Sequence, residues 1–262
     1  MRAHQRDGRG VERIRYPVGV RRVPVAAVRE LTPHMIRVTL RGDALRALHT
    51  YQADDHIKIV FPDDDGTQRD PIANEALALD WPRPMPTTRN YTIRRFDAAA
   101  GEIDLDVVVH DGGRASEWAQ GVGIGDPTTI AGPPGAKAFP LTYAHYVFAV
   151  DATALPAAAR WLEESPADLA ASIVVETTDP DLRAGYPLAL RPNVTVTWID
   201  AGAGPSSLGD VVAALPVPTE DVFVFAAGEA GDIDPVRVWA AARGFDAVVT
   251  GYWRRGVEGM DD

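Results

Sequence analysis

Four adjacent residues, Arg89-Asn90-Tyr91-Thr92, combine a cation, an aromatic ring and a hydroxyl in one short segment. If this segment is a strand, Arg89 and Tyr91 share one face, opposite to Thr92. A flavin nucleotide needs these side-chain types: a cation for its pyrophosphate, an aromatic face against its ring and a hydroxyl near its reactive N5 atom. The segment therefore predicts a flavin site. The alternative is a surface strand with an ordinary arginine and a half-buried tyrosine.

A second segment, residues 110–118, has the pattern of a strand end, a glycine turn and a helix start. Free backbone N–H groups and a partial positive charge at a helix N-terminus bind anions, and Gly113 permits a close backbone approach. We expect a diphosphate to bind here. The alternative is that Ser116 only caps a helix and that Trp118 only fills the core.

Several chemistries are excluded by what the sequence lacks. It has no cysteine, which excludes disulfides, thiolate nucleophiles and iron–sulfur sites, and its six histidines show no metal-ligand spacing. It contains no Gly-x-Ser-x-Gly elbow and no phosphate loop, and the glycines at 121–125 and 202–204 do not form a dinucleotide fingerprint. Redox chemistry would therefore require a bound organic cofactor, and no metal site is predicted.

The charge balance is acidic, with 26 Lys and Arg against 37 Asp and Glu and a net charge of -11. Such a surface repels a phosphate backbone, so nucleic-acid binding is not expected. The exception is an arginine-rich segment, residues 1–22, which we interpret as a partly disordered solvated arm; attraction to anionic lipid or a partner is the alternative. With no apolar run suited to a membrane span or a secretory signal, we expect a soluble cytoplasmic protein.

Within a predicted first domain at residues 23–139, the apolar residues from 23 to 130 mostly follow the period of two that is typical of half-buried strands. Six strands are predicted, at residues 23–28, 35–40, 56–61, 90–96, 103–110 and 128–131. With no long helices between them, they indicate a closed antiparallel β-barrel with one short helix at 115–120. An excursion at 62–88 is too long for a hairpin, contains a short helical stretch at best, and suits a lid or a pocket wall.

Residues 140–262 alternate between strand-like and helix-like segments after a Pro- and Gly-rich linker at 132–140. The predicted strands are 146–150, 172–176, 194–199, 222–226 and 247–251, and the predicted helices are 154–162, 207–215 and 235–243. This alternation favours a small doubly wound α/β domain with a parallel sheet.

Taken together, these segments resemble the siderophore-interacting protein family, whose members are FAD-dependent ferric-siderophore reductases of the ferredoxin-reductase-like superfamily. The matching segments are residues 32–40, 55–58, 89–94, 106–110, 113–118, 125–126, 131–133, 153–156, 227–229 and 251–256. They run in order through nearly the whole chain. Each segment alone is a weak signal, whereas the ordered set, with the terminal Gly-Tyr-Trp-Arg-Arg-Gly, is specific.

The resemblance implies a site with three parts. The implied FAD contacts are Arg89, Tyr91, Thr92, His110, Gly113, Ala115, Ser116 and Trp118. The implied nicotinamide side, for NADH or NADPH, comprises Thr153, Ala154, Pro156, Gly228 and Glu229. The implied docking residues for an anionic ferric siderophore are Lys58, Arg254 and Arg255. In this scheme hydride passes from the nicotinamide to the flavin, and single electrons pass from the flavin to Fe(III).

Two positions depart from the family pattern. Pro134 stands where a third basic docking residue is expected, so that Lys137 could substitute for it, and Ala152 stands where an acid is usual. The sequence leaves open a general NAD(P)H:flavin or ferric reductase and a non-catalytic FAD- or siderophore-binding protein. It also leaves open the choice between NADH, NADPH and ferredoxin as donor; we expect a monomer.

Overall fold

The computed structural model of the protein describes residues 8–138, 140–202 and 204–257. The chain divides into two compact units. Residues Arg13–Ala136 form the first, here called the barrel unit, and Lys137–Asp262 together with Met1–Glu12 form the second, here called the α/β unit. Each is described by itself.

The elements from Glu12 to Ala138 are mostly strands, with one α-helix. They are β1 (Glu12–Arg15), β2 (Val20–Thr32), β3 (Met35–Arg41), β4 (His56–Val60), β5 (Ile72–Ala73), β6 (Leu79–Asp80), β7 (Thr88–Thr92), β8 (Arg95–Asp97), β9 (Glu102–Val108), α1 (Arg114–Gly121), β10 (Pro127–Ala131) and β11 (Gly135–Ala138).

Seven of these strands form one antiparallel sheet in the order β7-β4-β10-β2-β3-β9-β8. The two end strands, β7 and β8, are consecutive in the chain and are separated only by Ile93 and Arg94. The backbone N–H of Ile93 bonds to Asp55 O at 2.8 Å, and that of Arg94 bonds to Asp104 O at 2.9 Å. The two ends of the sheet therefore meet, and the unit is barrel-like, as the sequence predicts.

The alternation of residue types in β9 explains how the barrel is filled. Ile103, Leu105 and Val107 are fully buried in the core, whereas Asp104 and Asp106 point to the other face. Both carboxylates are nevertheless nearly buried, because arginines of neighbouring strands cover them. The alternation of apolar residues in the sequence thus explains why this segment forms a strand with one face in the barrel core.

The strand prediction differs from the structure in several places, and β11 (Gly135–Ala138) is a strand within the predicted linker at 132–140. The single strand expected at 90–96 is divided into β7 and β8, because the chain changes its pairing partner at residues 93–94. The excursion at 62–88 was expected to hold a helical stretch at best. It contains instead the two-stranded β5–β6 ribbon, and none of its residues is helical.

The arm at residues 1–22, which we interpret as partly disordered and solvated, contains an ordered part among the residues that the structure describes. Residues 12–15 form β1, which pairs with β11, and Tyr16 is buried. Within the α/β unit, Gly10 N donates to the Tyr143 hydroxyl at 2.8 Å. Residues 1–7 of the arm, residue 139 of the linker and residues 258–262 lie outside the described residues.

The α/β unit alternates strands and helices. Its elements are β12 (His145–Asp151), α2 (Leu155–Glu164), β13 (Ala170–Thr177), α3 (Pro180–Gly185), β14 (Val194–Asp200), α4 (Leu208–Ala213), β15 (Val222–Glu229), α5 (Asp234–Ala242) and β16 (Asp246–Trp253). The five strands are parallel, in the order β14-β13-β12-β15-β16. Helix α3 was not predicted.

The sheet of this unit is covered on both faces. Trp161 of α2 packs against Tyr146 and Phe148 on one face of β12. The alternate residues of β12, Val147 and Ala149, belong to a core cluster that α4 and α5 complete. The predicted doubly wound fold is thereby confirmed.

Strand order locates the ligand edge of such a sheet. The chain builds outward from β12 to β14 on one side and then crosses to β15 and β16 on the other. Ligands of open α/β sheets bind at the carboxyl ends of the strands where the order reverses, which here is between β12 and β15.

Among the residues that the structure describes, no helix has the length and apolar character required to cross a bilayer.

Candidate functional site

Strands β4 and β7 of the barrel unit place predicted site residues on two different faces. Tyr91 pairs with Ile57, which is fully buried, so Tyr91 lies on the core side of the sheet. Lys58 pairs with Asn90, and both lie on the opposite face, which Thr92 shares. The structure thus brings Lys58 and Thr92 together on one face and separates Tyr91 from them.

Tyr91 is half-buried and packs against the barrel core. Burial raises the pKa of its phenol, against the opposing effect of the Arg89 charge. The Arg89 guanidinium donates to the Thr88 carbonyl at 2.8 Å. The flavin contacts of Arg89, Tyr91 and Thr92 stay predictions.

Asn90 is a residue of this face that the sequence prediction did not assign to the site. Its side-chain oxygen is buried and finds no hydrogen-bond donor in the described part of the chain. Buried polar atoms are nearly always paired, so a lone acceptor here suits a ligand that carries an N–H donor. The flavin ring has such a donor, and the face therefore fits a flavin.

The segment that leads into α1 is held by Ser116. Its hydroxyl accepts from His110 N at 3.1 Å and donates to Val108 O at 3.2 Å. A Cβ atom at Gly113 would lie 2.5 Å from Cε1 of the His110 ring. A side chain at position 113 would therefore require the exposed His110 ring to move. Ser116 does not cap the helix, because Gly113 is the N-cap residue and no side chain bonds there.

The backbone at the start of α1 is open to a ligand. The first hydrogen bond of the helix runs from Glu117 N to Gly113 O at 2.9 Å. The N–H groups of residues 114–116 precede that bond and have no acceptor among the described residues. Three unpaired donors at a helix N-terminus suit the pyrophosphate of a dinucleotide.

Arg114 stands at the first position of this helix, and the sequence prediction missed it. Its guanidinium donates to Pro62 O at 2.8 Å and lies 3.3 Å from an oxygen of Asp64. It thereby ties the excursion at 62–88 to the helix start. The two predicted contacts further along the helix pack toward the core: Ala115 is buried, and Trp118 is half-buried and packs edge to face on Phe61 at 6.1 Å.

In the α/β unit, the predicted nicotinamide residues meet at the carboxyl edge of the sheet. Thr153 and Ala154 follow β12, and Glu229 ends β15. Glu229 N donates to Oδ2 of Asp151 at 3.0 Å, and the Thr153 hydroxyl donates to Oδ1 at 2.6 Å. The structure therefore joins these segments through Asp151, which the sequence prediction did not assign to the site.

Helix α2 has no side-chain cap, and Asp151 instead holds the residue that precedes the helix. Ala154 is the N-cap residue and has no side-chain acceptor, but Asp151 Oδ1 accepts from Ala154 N at 3.3 Å. Pro156 occupies the first turn, where its missing N–H costs nothing. The alternative interpretation of Thr153 as the cap of this helix is therefore wrong.

Gly228 is required by its neighbour. Its φ of +149° lies in the region that favours glycine, and a Cβ atom there would lie 2.6 Å from Cγ and Oδ2 of Asp151. The carboxylate of Asp151 is itself surrounded by donors, although burial raises its pKa.

Glu229 holds the segment after β16. Its carboxylate accepts from Gly231 N at 2.6 Å, Asp232 N at 2.9 Å and Arg255 N at 3.0 Å. Burial alone would raise the pKa of Glu229, but these backbone donors outweigh it and lower the pKa. Glu229 is thus a structural anchor at the ligand edge.

The two predicted docking arginines of this unit differ in their surroundings. Arg255 forms ion pairs with Asp232 and, at 3.6 Å, with Glu229, and its guanidinium lies 5.7 Å from the Trp253 ring centre. Arg254 is exposed and has no ion-pair partner in the described ranges. Of the pair, Arg254 has the charge available to an anion.

Lys137, the suggested substitute for a basic residue at position 134, is engaged elsewhere. Its ammonium donates to the Thr250 hydroxyl of β16 at 2.9 Å. Pro134 accepts a backbone hydrogen bond from Tyr16 N at 3.2 Å. Ala152 brings no side-chain polar group to the carboxyl edge, where Asp151 and Glu229 are acids that the structure places.

Two family models match the chain. Residues 24–137 match the siderophore-interacting FAD-binding domain, and residues 143–256 match the siderophore-interacting protein model. An NADPH-dependent ferric-chelate reductase of Escherichia coli is 29% identical over 245 residues, which cover 88% of this chain and 95% of the relative. The ferric vibriobactin reductase ViuB of Vibrio cholerae is 29% identical over 205 residues, which cover 76% and 74%.

Among solved structures, a siderophore utilization protein from T. fusca superposes with a TM-score of 0.86 and 35% identity, over 96% of this chain and 98% of that one. The two family matches together span most of both units in the expected order. The chain therefore belongs to the siderophore-interacting protein family, and its barrel unit is an FAD-binding domain.

Proposed function

We propose that this protein is an NAD(P)H-dependent ferric-siderophore reductase. The observation that carries the proposal is the relative from Escherichia coli, named an NADPH-dependent ferric-chelate reductase, because its similarity extends through both units. The second named relative, a ferric vibriobactin reductase, supports a siderophore as the chelate. The iron is substrate, so the protein needs no metal ligands of its own.

The barrel unit supplies the flavin contacts. The backbone donors of residues 114–116 would hold the pyrophosphate together with Arg89, and Asn90 and Thr92 would hydrogen-bond the ring. Tyr91 lies on the opposite face of β7, so its contact with the ring stays a prediction, which the double variant below tests. When bound, FAD takes a hydride from the nicotinamide and gives single electrons to Fe(III). No residue of this chain has to act as an acid or base in that exchange.

The α/β unit supplies the nicotinamide edge and part of the chelate electrostatics. Thr153, Gly228 and Asp151 lie at the carboxyl edge of the sheet, where a dinucleotide would bind. Lys58 in the barrel unit and Arg254 in the α/β unit would attract an anionic chelate, in a protein whose overall charge of -11 repels it. Fe(II) binds hard oxygen donors less tightly than Fe(III), so reduction releases the metal.

The test is an anaerobic absorption experiment on the purified holoprotein. We expect stoichiometric FAD that bleaches with NADH or NADPH and recovers its colour when ferric siderophore is added. Bleaching only with reduced ferredoxin would assign a different donor, and rates equal for all ferric chelates would favour a general ferric reductase. If no donor bleaches the FAD, the enzyme proposal is overturned. The expected monomer is checked separately by size-exclusion chromatography.

The flavin site is tested with Arg89→Ala combined with Tyr91→Ala. Charge-assisted contacts contribute about 1.5–3 kcal/mol and ring stacking about 0.5–1.5 kcal/mol, so the double variant should purify nearly without FAD. Arg29→Ala, an exposed arginine of β2, is the matched control and should retain it. A double variant with full FAD would contradict the site.

A further inference from the structure

The direction of the hydrogen bond between the Thr153 hydroxyl and Asp151 is fixed by the other donors around the carboxylate. Oδ1 of Asp151 accepts from Thr153 N at 2.8 Å and from Ala154 N at 3.3 Å, and backbone N–H groups can only donate. Oδ1 is therefore an acceptor. The Thr153 hydroxyl lies 2.6 Å from the same oxygen, and because the ionised carboxylate has no proton to donate, the hydroxyl proton points to Asp151.

The other oxygen of Asp151 is held in the same way. Oδ2 accepts from Glu229 N at 3.0 Å and from the Trp253 indole N–H at 2.7 Å, and both of these groups are also obligatory donors. Four N–H donors on the two oxygens thus stabilise the ionised carboxylate, which can only accept hydrogen bonds. The carboxylate cannot turn to release the Thr153 proton without losing several of these bonds.

A hydroxyl has one proton and two lone pairs. Because Thr153 uses its proton on Asp151, it can only accept hydrogen bonds on its remaining side. Thr153 is half-buried, so part of its surface stays accessible. The pyrophosphate of a dinucleotide is a diester without a proton at neutral pH and would be repelled there, whereas a group with an N–H is suited to this position.

The position of Thr153 selects one end of a dinucleotide. In doubly wound folds the ribose of the adenosine half lies near the end of the second strand, which is β13 here. Asp151 bonds on the opposite side of β12, to the ends of β15 and β16. The nicotinamide half, whose carboxamide carries an NH₂ donor, is therefore the half that Thr153 meets.

We propose that Thr153, oriented by Asp151, accepts a hydrogen bond from the carboxamide NH₂ of the nicotinamide and selects for that group. This rests on the proposed function, because it requires a nicotinamide at this edge. Thr153 is thus a specificity-determining residue, and Asp151 is a positioning residue that acts through it.

The test compares dinucleotides that differ in one donor each, bound to the oxidised holoprotein. The probes are NAD⁺, its 3-acetylpyridine analogue, in which a methyl group replaces the carboxamide NH₂, and nicotinamide hypoxanthine dinucleotide, which lacks the adenine amino group. Oxidised dinucleotides carry no hydride, so dissociation constants are measured by calorimetry without reaction. The variants are Thr153→Val, which has the same shape without the hydroxyl, and Thr153→Ser, which keeps it.

The parent protein should bind NAD⁺ about three- to tenfold more tightly than the acetylpyridine analogue, the range expected for one neutral hydrogen bond. Thr153→Val should bring this ratio close to one by weakening NAD⁺ alone, Thr153→Ser should preserve it, and the hypoxanthine analogue should follow NAD⁺ throughout. FAD content confirms that the barrel unit of each variant is folded, and an unchanged urea-unfolding midpoint confirms it for the α/β unit, which carries Thr153.

A parent ratio near one, or an equal ratio in the parent and Thr153→Val, would overturn the inference while leaving the reductase proposal intact. If Thr153→Val instead removes a preference for NAD⁺ over the hypoxanthine analogue, Thr153 contacts the adenine, and the inference is also overturned. If no dinucleotide binds and neither NADH nor NADPH bleaches the FAD, the proposed function fails and this inference fails with it.

Discussion

The indole Nε1 of Trp253 donates a 2.7 Å hydrogen bond to Oδ2 of Asp151, so the last strand of the sheet is tied to the first. The same oxygen accepts from Glu229 N of β15. Three strand ends therefore meet on one carboxylate at the ligand edge.

Asp151→Asn tests that junction. The amide has the shape of the carboxylate but replaces one acceptor oxygen with an NH₂ donor. In either orientation this NH₂ group faces the donors that bonded to Oδ2 or those that bonded to Oδ1, and these donors lose their acceptor. Leaving buried donors unpaired costs about 1–3 kcal/mol each, so we expect the free energy of unfolding to fall by about 2 kcal/mol or more in urea titrations.

Trp253→Phe is the matched control, because it removes one donor and leaves the carboxylate in place. Its free energy of unfolding should be about 1 kcal/mol lower than that of the parent. An Asp151→Asn protein as stable as the parent would show that the five hydrogen bonds are not what joins the strand ends.

Gly228→Ala should destabilise the α/β unit. The new methyl group would lie 2.6 Å from the Asp151 carboxylate, at a φ of +149° that side chains rarely adopt. Strain and overpacking each cost about 1–3 kcal/mol. Gly244→Ala separates the two effects, since Gly244 also has a positive φ but open space around it. If both variants unfold at the same urea concentration, the contact with Asp151 contributes nothing.

Docking of the chelate is tested at Lys58. Lys58→Ala should raise the KM for an anionic ferric chelate about three- to tenfold at low salt, with unchanged FAD content and unchanged bleaching by the nicotinamide. The effect should shrink as salt shortens the screening length to about 8 Å at physiological strength. Arg29→Ala removes an exposed charge elsewhere on the barrel unit and is the control. Parent-like kinetics for Lys58→Ala at low salt would remove the docking role.

The neighbouring arginines should behave differently from each other. Arg254 lacks an ion-pair partner among the residues described, so Arg254→Ala should raise the KM for the anionic chelate and leave stability within about 0.5 kcal/mol. Arg255 pairs with Asp232 and Glu229 but is 61% exposed, so Arg255→Ala should cost up to about 1 kcal/mol and change the KM less. Steady-state kinetics and urea titration on both variants check this, and the reverse order would contradict it.

The sequence was sufficient to find the two units and the segments that approach the ligand edge. Continuous apolar runs indicate buried parallel strands, and the carboxyl ends of such strands always share an edge. Thr153 and Gly228 could therefore be placed at the same edge from the sequence alone. Similarly, the glycine turn before α1 located the open backbone donors of residues 114–116.

The residues that organise the site could not be found in this way, because their partners are distant in sequence. Asp151 bonds to Glu229, 78 positions away, and to Trp253, 102 positions away. Arg114 reaches Pro62 across 52 positions. No local pattern encodes such pairs. The division of β7 from β8 was missed for the same reason, since it depends on which strands residues 93–94 meet.

The acid stability of the barrel unit should depend on one arginine. Arg95 donates to Asp104 at 2.6 Å and to Glu102 at 2.8 Å. Burial raises the pKa of Asp104, but the hydrogen bonds from Arg95 and Thr39 outweigh it and lower the pKa overall. For Glu102, hydrogen bonds from Arg95 and Arg41 lower the pKa.

A carboxylate whose pKa is lower in the folded state stabilises the fold above its unfolded pKa and loses that contribution as pH falls through the folded value. The unfolded values are about 3.9 for Asp and 4.3 for Glu, so the contribution is complete at pH 7 and declines below about pH 4. Arg95→Met should therefore lower the free energy of unfolding by about 1.5–3 kcal/mol at pH 7 and by much less near pH 2.5. Arg41→Met, which removes an exposed partner of Glu102 only, should cost less than 1 kcal/mol at pH 7. Urea titrations across this pH range check the difference, and an Arg95→Met deficit of the same size at both pH values would show that packing of the side chain, and not its charge, stabilises the barrel.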